Sequence, residues 1–209
     1  MPRKPKYSSQ ELGDTAIAII REEGEDSLSA RNLVKRLGTA PATIFTHFSS
    51  MEELEKAVMT KAKALYNEYA ERGFSKSLPF KGFGVEHVKF AMEEPNLYNF
   101  LFIRKKANGK IEDIIEREGH RDRLIEEAMK VFCCSKEIAE VVLENLVVYM
   151  SGLAMMCSKG ICSFTEEELS KMFGMAAGGF LYAASQNSAW YSIVPKEGEK
   201  IEEDSPYTR

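Results

Sequence analysis

Apolar residues recur along this chain at helical spacing, and no stretch has the strict apolar-polar alternation of a half-buried strand. Leu12, Ala16, Ile19 and Ile20 make one stripe; Met51, Leu54, Val58, Ala62, Leu65 and Tyr69 make a longer one. The pattern predicts an all-α fold. Helix starts are marked by Ser8 with Glu11, Ser50 with Glu53 and Thr165 with Glu168. In each pair a short hydroxyl and a glutamate three residues on satisfy amides that the first turn leaves orphaned. Gly24 and Gly38 are natural helix stops, so three short helices fit between Ser8 and Phe48. Leu12, Ala16, Ile19, Leu28, Leu33, Val34, Leu37, Ile44 and Phe48 supply one small core for them.

The fourth helix, over 51–69, has no internal breaker and is expected to couple this N-terminal module mechanically to the rest of the chain. Pro79, Gly82 and Gly84 predict a looser stretch, followed by short helices over 85–93 and 96–104 interrupted by Pro95. Asn108-Gly109 marks a turn. Ile111, Ile114, Ile115, Leu124, Ile125, Met129 and Phe132 predict another helix, which Gly119 kinks or weakens. Two long helices, 135–159 and 165–188, close the fold. The expected organisation is an N-terminal domain over 1–55, a larger helical domain over 56–190 and a loosely ordered acidic tail over 191–209.

A content of 44% hydrophobic and 29% charged residues excludes general disorder. The sequence has no uninterrupted apolar run of bilayer-spanning length, and its first nine residues lack the apolar centre of a signal peptide, so a cytoplasmic protein with no membrane partner is expected. The net charge of −4 is unevenly spread: residues 1–50 carry seven Lys/Arg against six Asp/Glu, which leaves −5 for the remainder. Cys133, Cys134, Cys157 and Cys162 fit no zinc or redox spacing and read as free thiols, with a sensing thiol left open. No phosphate loop, metal-spaced ligand set or nucleophile-base pair is recognisable, and His87 and His120 read as surface or structural residues. No catalytic residue, cofactor or metal is expected.

The segment 28–38 followed by 39–48 has the form of a short helix, a glycine turn and a second short helix, the spacing of a helix-turn-helix. In that motif the second helix enters the major groove while neighbouring groups hold phosphates and fix its register. The residues Glu23-Gly24, Leu33, Leu37-Gly38, Pro41-Ala42-Thr43-Ile44-Phe45, His47-Phe48 and Glu52-Glu53-Leu54 resemble the N-terminal signature of the tetracycline-repressor (TetR) family over roughly residues 8–58.

That resemblance implies that Ser29, Ala30 and Arg31 at the start of the second helix, and Pro41, Ala42, Thr43, Phe45, Thr46 and His47 on the third, face DNA, with Ile44 and Phe48 turned inward. Arg31 would donate to phosphate or guanine, and the methyls of Ala42 and Thr43 would meet thymine methyls. Three positions depart from the family pattern: Phe45 stands where tyrosine is common, Met51 where lysine is common, and Ala40 where a capping serine is frequent. Each departure removes a polar contact, which leaves a basic arm of Arg3, Lys4 and Lys6 to supply part of the phosphate neutralisation.

Val141, Val142, Asn145, Val148, Tyr149, Gly152 and Met156 share one helical face, as do Leu169, Met172, Phe173, Ala176, Ala177, Phe180 and Ala184. Small residues from Gly174 to Gly179 permit close helix approach, so the last two helices either pair with their copies as a four-helix bundle or serve an intrachain core. The resemblance favours a homodimer, with Val148, Met172, Ala176, Gly179 and Phe180 in the interface and a palindromic double-stranded DNA operator. Residues 94–102 and 149–154 resemble one C-terminal subfamily more weakly. Phe90, Tyr98, Phe102, Tyr149 and Met155 are candidates to line a mainly apolar cavity for a small-molecule effector, with core packing as the other reading. The expected function is a ligand-responsive DNA-binding transcription regulator, a repressor by family default. Phe45 and Met51 keep open an adaptor of the same fold that has lost DNA binding, and an all-α enzyme is the remaining alternative.

Overall fold

A computed structural model describes residues 7–103 and 119–186. Among these residues there are nine α-helices and no strand: α1 Ser9–Glu23, α2 Ala30–Leu37, α3 Pro41–Phe45, α4 Met51–Phe74, α5 Pro79–Glu93, α6 Pro95–Tyr98, α7 Arg121–Phe132, α8 Lys136–Ser158 and α9 Glu166–Gln186. The basic arm (Lys4, Lys6), residues 111–118 of the expected seventh helix and the acidic tail lie outside the described residues.

The caps are where the sequence places them. At α1 the Ser8 hydroxyl accepts from the Glu11 amide while the Glu11 carboxylate accepts from the Ser8 amide. Thr165 and Glu168 repeat the arrangement at α9. At α4 the Ser50 hydroxyl accepts from the Glu53 amide, but the Glu53 carboxylate reaches back one residue further, to the Ser49 amide and hydroxyl.

One expectation is corrected between α4 and α5. Residues 79–84 are helical, not loose: Pro79 stands in the first turn, where its missing N–H costs nothing, and Gly82 and Gly84 lie inside α5. Those glycines permit close contact. A Cβ on Gly73 of α4 would come within 2.7 Å of the Phe83 Cα and the Gly82 carbonyl oxygen, and one on Gly84 would meet the Phe173 ring of α9 at 3.2 Å. The loss of helix propensity is thereby traded for a close backbone crossing. The fourth helix also runs beyond its predicted end at 69, to Phe74.

α5 is the central element and packs against α4, α7, α8 and α9. Its His87 is 2% exposed, which corrects the surface alternative for that residue. The Tyr66 hydroxyl pairs with His87 Nδ1 at 2.9 Å, and the rings of Tyr66, Tyr98 and Phe102 pack around it. Burial lowers its pKa to about 3. Glu86, also 2% exposed, is held among Arg72 at 3.3 Å, Lys89 at 3.4 Å and Lys76 at 3.7 Å. Lys76 and Lys89 continue to Glu166 at 2.9 and 3.0 Å and so fasten the start of α9 to α4 and α5. One described helix, α8, is long and apolar enough to cross a membrane, and 61% of its most apolar window is buried inside the fold.

Candidate nucleic-acid interface

The N-terminal module presents α3 outward because its two large apolar side chains face the other way. Ile44 is fully buried and Phe48 is 6% exposed, and both pack with Leu12, Ala16 and Leu33. Pro41, Ala42, Phe45 and Thr46 are exposed in consequence, and Phe45 leaves 47% of its surface open. The turn before α3 depends on Gly38 at φ 59°, ψ 45°, the left-handed conformation that lets α2 stop without a Cβ clash. Ala40 gives α3 no side-chain cap, and Pro41 in its first turn lessens that loss by removing an amide that would need one.

Ser29 caps α2 by accepting from the Asn32 amide, and the Asn32 side chain donates to the Ser27 carbonyl at 2.8 Å. Ser29 and Ala30 are half-buried. Arg31 is exposed and forms no ion pair among the described residues, whereas Arg36 on the same helix turns back to Glu22 and Glu23 of α1. Lys35 is exposed too, a cation that the motif alone does not single out. Thr43 is half-buried, with its hydroxyl paired to that of Thr39 at 2.8 Å, and the Thr46 hydroxyl donates to the Thr43 carbonyl at 2.7 Å. His47 is half-buried and its Nε2 atom is covered by protein. The Tyr7 hydroxyl donates to the Leu37 carbonyl at 2.6 Å, which fixes Tyr7 beside the glycine turn.

Residues 12–58 match the family described as bacterial regulatory proteins, tetR family. Those residues form a helix-turn-helix domain of the tetR type. That domain marks the chain as a DNA-binding transcriptional regulator, and the matched TetR segment takes in α1 from Leu12, α2, α3 and the first turns of α4. The whole fold is similar to a solved structure described as a protein with unknown function from Rhodococcus sp. RHA1. The TM-score is 0.64 and the identity 17%, with 87% of this chain and 98% of that chain covered. At that identity the likeness establishes a common fold. No curated protein matches the sequence.

Beyond its TetR segment the regulator has an apolar cavity of about 170 Å³ between α5, α7, α8 and α9. Its wall includes Phe80, Phe83, Leu124, Val147, Met150 and Phe173, with Lys81 as the one charged side chain among the described residues. None of the five residues read from the sequence as ligand contacts belongs to that wall. Phe90 and Tyr98 are buried, and Phe102 packs on Tyr98 and Tyr66 in the aromatic cluster around His87. Tyr149 meets Phe173 edge-on from α8, and Met155 is 45% exposed on the outside of α8. The signal available for the actual wall was Lys81, a single cation in the otherwise apolar run 79–85.

The outer faces of α8 and α9 carry exposed apolar side chains at helical spacing: Val148 and Met155 on one, Met175 and Tyr182 on the other. Gly152, Gly174, Gly178 and Gly179 open onto empty space on these two helices. Of the residues read as an interface, Val148 and Gly179 are exposed, and Met172, Ala176 and Phe180 are half-buried.

Proposed function

We propose that this regulator is a ligand-responsive repressor that binds a palindromic operator as a homodimer in the cytoplasm. Residues up to about 55 make the DNA contacts; those from 56 hold effector and partner. The observation that carries the reading is the outward face of α3, where Phe45, Thr46, Pro41 and Ala42 stand clear of a core that takes Ile44 and Phe48. A short helix so held suits the major groove, and the exposed Arg31 can take a phosphate or a guanine edge.

The apolar stripe of Val148, Met155, Met175 and Tyr182 supports a partner copy, since isolated exposed apolar residues are common but a shared helical face is not. The cavity beside α5 supports an effector. Bound there, it would press on α5 and through it on α4, whose first turns carry the TetR segment, and would lower operator affinity by shifting a two-state equilibrium.

The test is selection of bound duplexes from a random pool at fixed salt. A palindrome with half-sites about 10 base pairs apart is expected. Arg31→Ala should weaken binding to it by about tenfold without altering helical content. A folded protein that selects no sequence and binds duplex without salt dependence would overturn the reading in favour of an adaptor of the same fold.

A further inference from the structure

The cavity between α5, α7, α8 and α9 has a wall built almost wholly of hydrocarbon. Among the described residues its lining is Leu, Val, Phe, Met, Ala and Gly, with Lys81 alone adding charge and no other side chain adding a hydrogen-bonding group. Lys81 is half-buried and makes no ion pair among the described residues. Its neighbours in the chain differ: Lys76 and Lys89 are both spent on Glu86 and Glu166. The Lys81 side chain borders an apolar wall with no counter-charge among the described residues, and a ligand that supplies one can form a charge-assisted hydrogen bond there.

The size is informative as well. An apolar cavity of about 150 Å³ takes up benzene, so about 170 Å³ suits a body of roughly six to nine carbon atoms. Leu78 and Val131, 43% and 41% exposed, border the space and give it an apolar mouth.

We propose that this cavity takes a small apolar monocarboxylate, with its carboxylate on the Lys81 ammonium and its hydrocarbon body among Phe80, Phe83, Val147, Met150 and Phe173. The inference rests on the effector reading of the cavity and names the chemistry of that site. A polyol would find no partners on this wall, and a cation would meet Lys81 with like charge. A neutral hydrocarbon would leave the ammonium as unmatched as before, and one ammonium balances one negative charge, which fits a monocarboxylate better than a dianion.

The experiment is calorimetric titration of the full chain with octanoate and 3-phenylpropionate, and with 1-octanol as a neutral probe of similar shape. At least one acid should bind about ten- to a hundredfold more tightly than octanol, the range of a charge-assisted hydrogen bond. Lys81→Met should erase that advantage while octanol binding stays within about twofold, since the hydrocarbon wall is unchanged. Val147→Phe should abolish all binding; if circular dichroism finds that variant unfolded, Leu78→Trp at the exposed mouth takes its place. Equal binding of acid and alcohol, or indifference of the acids to Lys81→Met, overturns the carboxylate assignment and leaves the effector cavity standing. Failure of all three probes to bind the wild-type protein overturns both.

Discussion

Ile44 and Phe45 are adjacent in the chain and opposite in role. One is fully buried and one is 47% exposed, a division set by the turn of α3 and legible beforehand because Ile44 completes the spacing of the small core. Phe45→Ala should therefore change the unfolding free energy by little, within about 0.5 kcal/mol. It should weaken operator binding by about tenfold, as measured by mobility shift. Phe45→Tyr should tighten binding severalfold, since a phenolic hydroxyl at that place can donate to a phosphate and net hydrogen bonds contribute about 1 kcal/mol. His87 was not legible in the same way, because its environment is assembled from Tyr66, Tyr98 and Phe102 on three different segments. With its folded pKa near 3 against an ordinary 6.5, the unfolded chain binds the extra proton between those values. The associated stability is whole above about pH 6.5 and drains as pH falls toward 3, by an amount on the order of a few kcal/mol. Thermal unfolding followed from pH 7.5 to 5 should give a falling midpoint in the wild type and a flatter slope in His87→Gln. Parallel slopes would mean that other groups dominate the acid response.

Helix starts were legible because capping is local chemistry: Ser8 with Glu11 and Thr165 with Glu168 need only three residues of separation to find each other. The run 79–84 was misread because the meaning of a glycine depends on what lies beside it. Gly82 and Gly84 look like breakers in the sequence, yet they stand inside α5 where Gly73 and the Phe173 ring approach. The contrast with the open glycines of α9 gives a paired prediction. Gly73→Ala forces a methyl to 2.7 Å from backbone atoms of α5 and should destabilise the protein by about 1–3 kcal/mol. Gly178→Ala meets nothing within 4 Å in the single chain and should stabilise the monomer by about 0.5–1 kcal/mol through helix propensity. If a second copy packs there, the sign reverses once the chains associate. Denaturant melts of Gly178→Ala at nanomolar and at tens of micromolar protein separate the two cases. A gain at both concentrations would remove Gly178 from any interface.

At the scale of the molecule, the N-terminal module is tied to the rest by more than chain continuity. Arg21 at the end of α1 forms a two-pronged ion pair with Glu94, at 2.8 and 2.7 Å, and the Asn96 side chain donates to the Arg21 carbonyl. Lys61 of α4 reaches Asp14 of α1 at 2.5 Å. A shift of α4 to α6 therefore has polar handles on α1, and α1 carries α3 through their common core. Such coupling controls transcription only if two α3 helices sit on one duplex, which makes association the pivotal question. Met175 and Tyr182 are 76% and 71% exposed, so charging them removes almost no intrachain packing. The double variant Met175→Glu, Tyr182→Glu should keep its helical circular dichroism and thermal midpoint at low concentration. It should sediment at 23.6 kDa where the wild type sediments at twice that mass. Operator affinity should fall by at least about a hundredfold, because the second half-site no longer binds at the high effective concentration that linkage provides. A charged variant that remains dimeric and keeps full affinity would move the partner to another face. The stripe on α8 and α9 would then be surface that merely happens to be apolar.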